Sequence, residues 1–219
     1  MNIDHYAVIG NPISHSKSPH IHTHFAEQSG QNMDYVRLLA PLDGFKQSVY
    51  DFRAAGGKGM NVTVPFKLEA YALADRLSPR AQRAGAVNTL IFHADGSIEG
   101  DNTDGIGLVR DLHYHGVKIQ DANILILGAG GAVRGVLVPL LAEHPAHVVI
   151  ANRSADKAIQ LAQDFADLGS VIQGCGYPAL QGQHFDVIIN GTSASLSGEL
   201  PPLPDHLLKQ DGVTYTTTA

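Results

Sequence analysis

An uninterrupted apolar run, Ile124-Leu125-Ile126-Leu127, leads straight into Gly128-Ala129-Gly130-Gly131-Ala132. A strand that is apolar at every position must be covered on both faces, which in a globular protein means the interior of a parallel sheet. Parallel neighbours require crossover connections, most often helical. The glycine cluster that follows is therefore expected to turn the chain from strand to helix, with free helix N–H groups at the strand's carboxyl end. The second half supplies the rest of such a series. A helix should run to about His144, followed by a strand over 147–151, a helix over 154–168, a weak strand near Val171 and a strand over 185–189. This predicts a Rossmann-like, doubly wound domain, with Pro139 expected to kink its first helix.

The first half also alternates strand and helix. Strands are expected over 5–9, 35–39 and 60–62, and helices over 43–55 and after Pro65. Another helix should start at Ser18-Pro19, with the serine as N-cap and the proline as first helical residue. Segments 86–93 and 97–100 flank Ala94-Asp95-Gly96 and read as a hairpin, so this sheet is mixed. A helix from Thr103 to His115 links the halves. The predicted organisation is α/β throughout: a mixed-sheet domain over 1–102 and the Rossmann-like domain over 103–219, with the boundary near Asn102.

A length of 219 residues permits one large domain or two small ones, and 44% hydrophobic against 16% charged residues fits a folded chain. The net charge of −6 gives no general attraction for nucleic acid or anionic lipid, so an anionic ligand must be held locally. Cys175 is the lone cysteine, which excludes an intrachain disulfide and a cysteine-rich zinc site. With neither a signal-peptide pattern at Met1-Asn2-Ile3-Asp4-His5 nor a bilayer-length apolar run, the cytoplasm is the expected location. His20 and His24 share a helical face while His22 points elsewhere, so no metal site is expected.

In the glycine cluster, Gly128 suits the tight turn and Gly130 a close backbone approach to a pyrophosphate. The third fingerprint position is Val133, which implies looser helix packing. After the next strand, an NAD site would place an acid against the ribose hydroxyls, whereas this chain has Asn152-Arg153-Ser154. Arg153 can pair with a 2′-phosphate, supported by Asn152, Ser154 and Lys157, so NADP is the expected cofactor. Read alone, Arg153 would most often be a solvated arginine after a strand; its place and type together favour the phosphate contact. Thr192 and Ser193 end a third strand at the same edge, where they border a nicotinamide or simply cap a turn.

Ser14-His15-Ser16-Lys17-Ser18-Pro19 places three hydroxyls before a helix, which suits a small carboxylate or, more plainly, a helix cap. In Asn61-Val62-Thr63-Val64-Pro65-Phe66-Lys67, the proline is expected to start a helix and put Lys67 in its first turn. The macrodipole disfavours a cation there, so the position suits a proton-transferring lysine better than a structural one. Asp104, near the expected domain boundary, is its candidate partner; the alternative is again a cap.

These motifs, taken with Gly10-Asn11-Pro12, Ala86-Val87-Asn88-Thr89 and Gly100-Asp101-Asn102-Thr103-Asp104-Gly105, resemble the shikimate dehydrogenase family from about His5 to Tyr215. The resemblance implies NADP-linked reduction of 3-dehydroshikimate, with Lys67 and Asp104 as catalytic pair. It further implies that Ser14, Ser16, Thr63 and Asn88 bind substrate, with Tyr215 near the substrate carboxylate. A quinate-using relative and a non-catalytic NADP-binding remnant are the alternatives. In the family, the tyrosine is followed by a glycine-bearing loop and terminal helices that include a substrate-contacting glutamine. This sequence instead runs Tyr215-Thr216-Thr217-Thr218-Ala219, so it reads as a C-terminally shortened member with reduced activity expected.

Overall fold

The computed structural model describes residues 3–169, 171–192 and 201–216, and the chain divides into two compact units, Met1–Thr103 and Asp104–Ala219. Unit 1 runs β1 (Asp4–Gly10), α1 (Ser18–Ser29), β2 (Met33–Leu39), α2 (Phe45–Ala54), β3 (Gly57–Val62), α3 (Lys67–Leu73), β4 (Arg76–Leu77), α4 (Pro79–Ala84), β5 (Thr89–Phe92) and β6 (Ile98–Asp101). Its sheet has the order β2-β1-β3-β5-β6-β4, with β5 antiparallel to both neighbours and the other pairs parallel. The sheet is therefore mixed, as the hairpin signal requires. The hairpin's first strand starts at Thr89 rather than Ala86, and its turn closes through Gly96 at φ 91°.

Two Ser-Pro pairs behave differently from the sequence expectation. Ser18 is not the N-cap of α1: Lys17 holds that position, and the Ser18 N–H reaches the Ser16 hydroxyl at 3.3 Å. Because Ser16 already accepts that N–H, helical geometry begins one residue early and Pro19 falls second. At Ser78-Pro79, where the sequence reading assigns no element, the pair works as a cap. The Ser78 hydroxyl accepts from the Ala81 N–H at 3.1 Å, and Pro79 opens α4. Pro65 likewise does not start a helix; it lies behind a cis Val64–Pro65 bond in a turn, and α3 begins at Lys67 itself.

Unit 2 runs α5 (Asp104–Tyr114), β7 (Asn123–Leu127), α6 (Gly131–Leu141), β8 (His147–Asn152), α7 (Ala155–Asp164), β9 (Ile172–Gly176), β10 (Phe185–Asn190) and β11 (Leu208–Thr216). All its strand pairs are parallel, in the order β11-β10-β7-β8-β9. The direction of winding reverses between β7 and β10. Alternate residues of the central strands enter separate cores. Ile124, Ile126, Val148 and Ile150 pack under α5, α6 and α7, while Leu125, Leu127, Val149 and Ala151 meet Tyr177, Leu180 and Leu207. This two-sided burial is why the strands read as continuous apolar runs.

Val133, in place of the fingerprint's third glycine, is itself buried in the core. Close helix approach occurs elsewhere: a Cβ on Gly105 of α5 would overlap the Gly135 carbonyl and lie 2.8 Å from Pro139 Cγ. Pro139 has no N–H to offer that carbonyl, and α6 ends two residues later at Leu141. The helix expected over 154–168 stops at Asp164 and resumes as a short 3₁₀ turn at Ala166–Leu168. Strand β11 has no counterpart among the sequence expectations. It pairs with β10 at Leu208, shifts register, and rejoins at Val213, so residues 209–212 erase the alternating pattern that would mark a strand.

Candidate active site

In unit 1, the expected substrate residues gather at one sheet edge. The parallel strands β1, β3 and β6 all end there, and antiparallel β5 begins there. Ser14 and Ser16 follow β1; Ser14 is exposed and Ser16 half-buried. The Ser16 carbonyl accepts from Arg37 Nε at 2.8 Å, which ties the loop to β2. Thr63 follows β3, and Gly10 makes room for it, since a Cβ on Gly10 would sit 2.6 Å from Thr63 Cγ2.

Asn88 immediately precedes β5 and is 8% exposed. Its side-chain oxygen accepts from the Thr103 N–H at 3.1 Å and the Thr89 hydroxyl at 2.9 Å, and its Nδ2 donates to the Thr103 hydroxyl at 3.1 Å. Its main chain bridges β3 and β6: the carbonyl accepts from Val62 at 2.7 Å and the N–H donates to Asp101 at 3.0 Å. Lys67 opens α3 with its carbonyl on the Val87 N–H at 2.9 Å, and the residue is only 8% exposed. Among the described residues it is the one buried side chain of a type that is charged at neutral pH, alongside the polar Asn88 and Asn102.

Sequence reasoning missed the residues that hold this edge. Tyr35 donates to Asn61 Oδ1 at 2.6 Å, and burial pushes its phenol up from the ordinary value. Asp101 is gripped by Arg80, Ser78 and the Asn102 N–H, with the Arg80 guanidinium foremost in holding its pKa down at about 2. It is a structural carboxylate, whereas Asp104, three residues on, is half-buried at the first position of α5. His22 stacks on Tyr35 at 4.2 Å, and His20 meets His24 edge to face. No group of three or more metal-ligating side chains occurs among the described residues.

In unit 2, the glycine loop sits at the winding reversal, where open α/β sheets bind ligands. Gly128 has φ 107°, and a Cβ there would lie 3.0 Å from the Gly191 carbonyl, so the loops after β7 and β10 touch through glycine. Gly130 faces open space and caps α6 without a side-chain acceptor, a helix N-terminus of the kind that can receive an anion. Ala129 is half-buried against the core.

At the end of β8, Asn152 Nδ2 donates to the Ser154 carbonyl at 3.1 Å, while Arg153, Ser154 and Lys157 are exposed. After β10, Asn190 Oδ1 accepts from both the N–H and the hydroxyl of Thr192, at 3.0 and 2.7 Å. Ser193 lies outside the described residues. An open helix N-terminus, a glycine turn and exposed cations after β8 fit an NADP-type dinucleotide. Tyr215 pairs with Ile189 in β11, and its hydroxyl donates to Asp111; burial first, and that carboxylate second, raise its pKa.

Two family models match in succession: the shikimate dehydrogenase substrate binding domain over residues 8–90, and shikimate / quinate 5-dehydrogenase over residues 112–197. The NADP(+) shikimate dehydrogenase of Cellvibrio japonicus is 60% identical over 212 residues, covering 97% of this chain and 76% of that protein. Its counterpart in Chromohalobacter salexigens is 60% identical over 98% of this chain and 79% of that protein. Among solved structures, shikimate dehydrogenase from Aquifex aeolicus superposes with a TM-score of 0.86 at 35% identity, over 99% of this chain and 80% of that one. The Thermus thermophilus enzyme, solved with NADP(H) and shikimate, gives 0.85 at 31% identity, over 98% and 78%. With both models matching in order and identity above half across almost the whole chain, the protein belongs to the shikimate dehydrogenase family.

Proposed function

We propose that the chain catalyses the NADP-linked reduction of 3-dehydroshikimate to shikimate and its reversal, a step of aromatic amino acid biosynthesis. The observation that carries this reading is the buried Lys67, at the same sheet edge as Thr63 and Asn88. An amine removed from water costs several kcal/mol, roughly, unless its surroundings compensate, and an apolar side chain would fill that volume more cheaply. A lysine retained there has a chemical task.

Reducing a ketone places charge on its oxygen, and that oxygen needs a proton or a charged hydrogen bond. Lys67 supplies it. Asp104, next in the chain after the Thr103 that Asn88 holds, serves the same step by orienting lysine and substrate hydroxyl. Ser14, Ser16, Thr63 and Asn88 bind the hydroxyls and carboxylate of the ring. Tyr215 also contacts the carboxylate, which requires its single phenolic proton to leave Asp111. The dinucleotide, when bound, supplies the hydride. Gly128, Ala129, Gly130, Gly131 and Ala132 hold its pyrophosphate, and Asn152, Arg153, Ser154 and Lys157 its 2′-phosphate. Thr192 and Ser193 border the nicotinamide. Both reactants are small and water-soluble, and we place the reaction in the cytoplasm.

The test is loss of NADPH absorbance when purified chain meets 3-dehydroshikimate. NADPH binding without turnover would reduce the chain to a cofactor-binding remnant. The second family model carries quinate in its description, so oxidation of quinate and of shikimate should be compared side by side. Shikimate is expected to be preferred.

A further inference from the structure

Tyr35 of β2 and Asn61 of β3 lie on either side of β1, where Val8 is the register partner of Asn61. The tyrosine ring packs with Val8 and Ile13, and it stacks on His22 of α1 with centroids 4.2 Å apart and planes 2° apart. It reaches over the central strand, and its hydroxyl meets Asn61 Oδ1 at 2.6 Å. Asn61 Nδ2 donates to the Asn88 carbonyl at 3.4 Å and to the Thr89 hydroxyl at 3.2 Å. The Thr89 hydroxyl in turn donates to Asn88 Oδ1 at 2.9 Å.

The protons in this row can run only one way. A main-chain carbonyl has no proton to give, so the end of the Asn61 amide that faces it must be Nδ2. Oδ1 then faces Tyr35, and the phenol must be the donor. Thr89 has one hydroxyl proton, and with Asn61 supplying an N–H to its oxygen, that proton goes to Asn88. Asn88 Oδ1 also accepts the Thr103 N–H at 3.1 Å, while Nδ2 donates to the Thr103 hydroxyl. The oxygen of the Asn88 amide is thus committed to donors of the protein, and Nδ2 is the end that can meet the hydroxyl or carboxylate oxygens of a ligand.

We propose that Tyr35 is a positioning residue for substrate binding: by donating to Asn61 it sets the direction of this relay, and so holds the Asn88 amide ready to meet shikimate as a donor. This rests on the reading of Asn88 as a substrate residue given above and deepens it. Without the phenolic proton, Asn61 Oδ1 loses its donor in a half-buried place and the amide can swing, so the Thr89 proton is no longer directed at Asn88. The role is distinct from packing, because a phenyl ring fills the same space against His22 and Val8.

Tyr35→Phe keeps the ring and removes the donor. Shikimate dissociation constants from calorimetry on the full chain should rise roughly three- to tenfold, the net worth of one hydrogen bond, with NADPH affinity by fluorescence titration unchanged. Thr89→Val cuts the same relay at its next link and should raise the shikimate constant by a similar factor. The double variant should bind shikimate no more weakly than either single one, because a broken relay cannot be broken twice. In an Asn88→Ala background, Tyr35→Phe should change nothing further. Losses that multiply in the double variant, or a loss shared equally by shikimate and NADPH, would make Tyr35 merely structural and overturn the proposal. So would a lowered thermal midpoint with shikimate affinity intact. If Asn88→Ala weakens shikimate binding and Tyr35→Phe does not, the proposal falls while the reading of Asn88 stands. If Asn88→Ala binds shikimate as tightly as wild type, or wild type does not bind it, both fall.

Discussion

Replacing Arg80 with alanine should unlatch the end of β6, the strand that delivers Asn102 and Thr103 to the substrate edge. The Asp101 carboxylate takes Arg80 Nε at 2.6 Å and a second nitrogen of the same guanidinium, together with the Ser78 hydroxyl at 2.6 Å and the Asn102 N–H at 2.7 Å. Its side chain is 15% exposed, and these partners, Arg80 first, bring its pKa from 3.8 to about 2. At ~1.4 kcal/mol per pH unit, the whole arrangement contributes about 2 kcal/mol near neutral pH. Arg80 is 38% exposed, so water makes up part of what alanine removes, and a loss of about 1 kcal/mol is expected.

The pH dependence gives the sharper check. The folded-state pKa is depressed, so the contribution is complete above the unfolded value, near 3.8, and fades as pH falls toward 2. About half should survive at about pH 3. Urea unfolding of wild type and Arg80→Ala, followed by circular dichroism at neutral pH and at about pH 3, reads this directly. Asp101→Asn serves as the pH-insensitive comparison. A penalty from Arg80→Ala as large at pH 3 as at pH 7 would show that Arg80 contributes packing rather than charge, and the reasoning would fail.

Lys67→Ala should lower single-turnover reduction by roughly two to four decades with the fold intact; an active alanine variant would remove Lys67 from the mechanism. Arg153→Ala should weaken NADP binding by about 1.5–3 kcal/mol in calorimetry and leave NAD nearly unchanged, and equal losses would refute the assignment. Gly174→Ala drives a Cβ into the Ala158 carbonyl and to 2.5 Å from Ile159 Cα, where α7 crosses β9. It should cost about 1–3 kcal/mol in thermal unfolding, and an unchanged midpoint would mean that α7 slides freely on the sheet.

The fold was legible where burial leaves a periodic trace. The runs at 124–127, 147–151 and 185–189 were readable because both faces of that sheet are covered, and the hairpin because Asp95-Gly96 supplies its turn. Short or irregular pieces left no such trace. Strand β4 is two residues long, and the pairing of β11 is interrupted over residues 209–212, so neither shows alternation. The Ser-Pro signal stands at two places in the chain and marks a side-chain cap at one. What distinguishes them is the Ser16 hydroxyl beside Ser18, a contact set by the loop's path and not by the dipeptide.

The candidate site is readable in the sequence as motif positions, and the residues that support those positions are not. Glycine, lysine and arginine in strand-end motifs stand out as candidate ligand contacts, because their chemistry is rare in those places. The residues that hold them announce nothing locally. Asn61 finds Tyr35 from 26 positions away, Ser16 is held by Arg37 from 21, and Asp101 meets Arg80 across another 21. Each pair joins segments far apart in the chain, in a fold whose strand order, β2-β1-β3-β5-β6-β4, is not the order of the sequence. Only that topology turns a tyrosine after one helix and an asparagine in a later strand into neighbours.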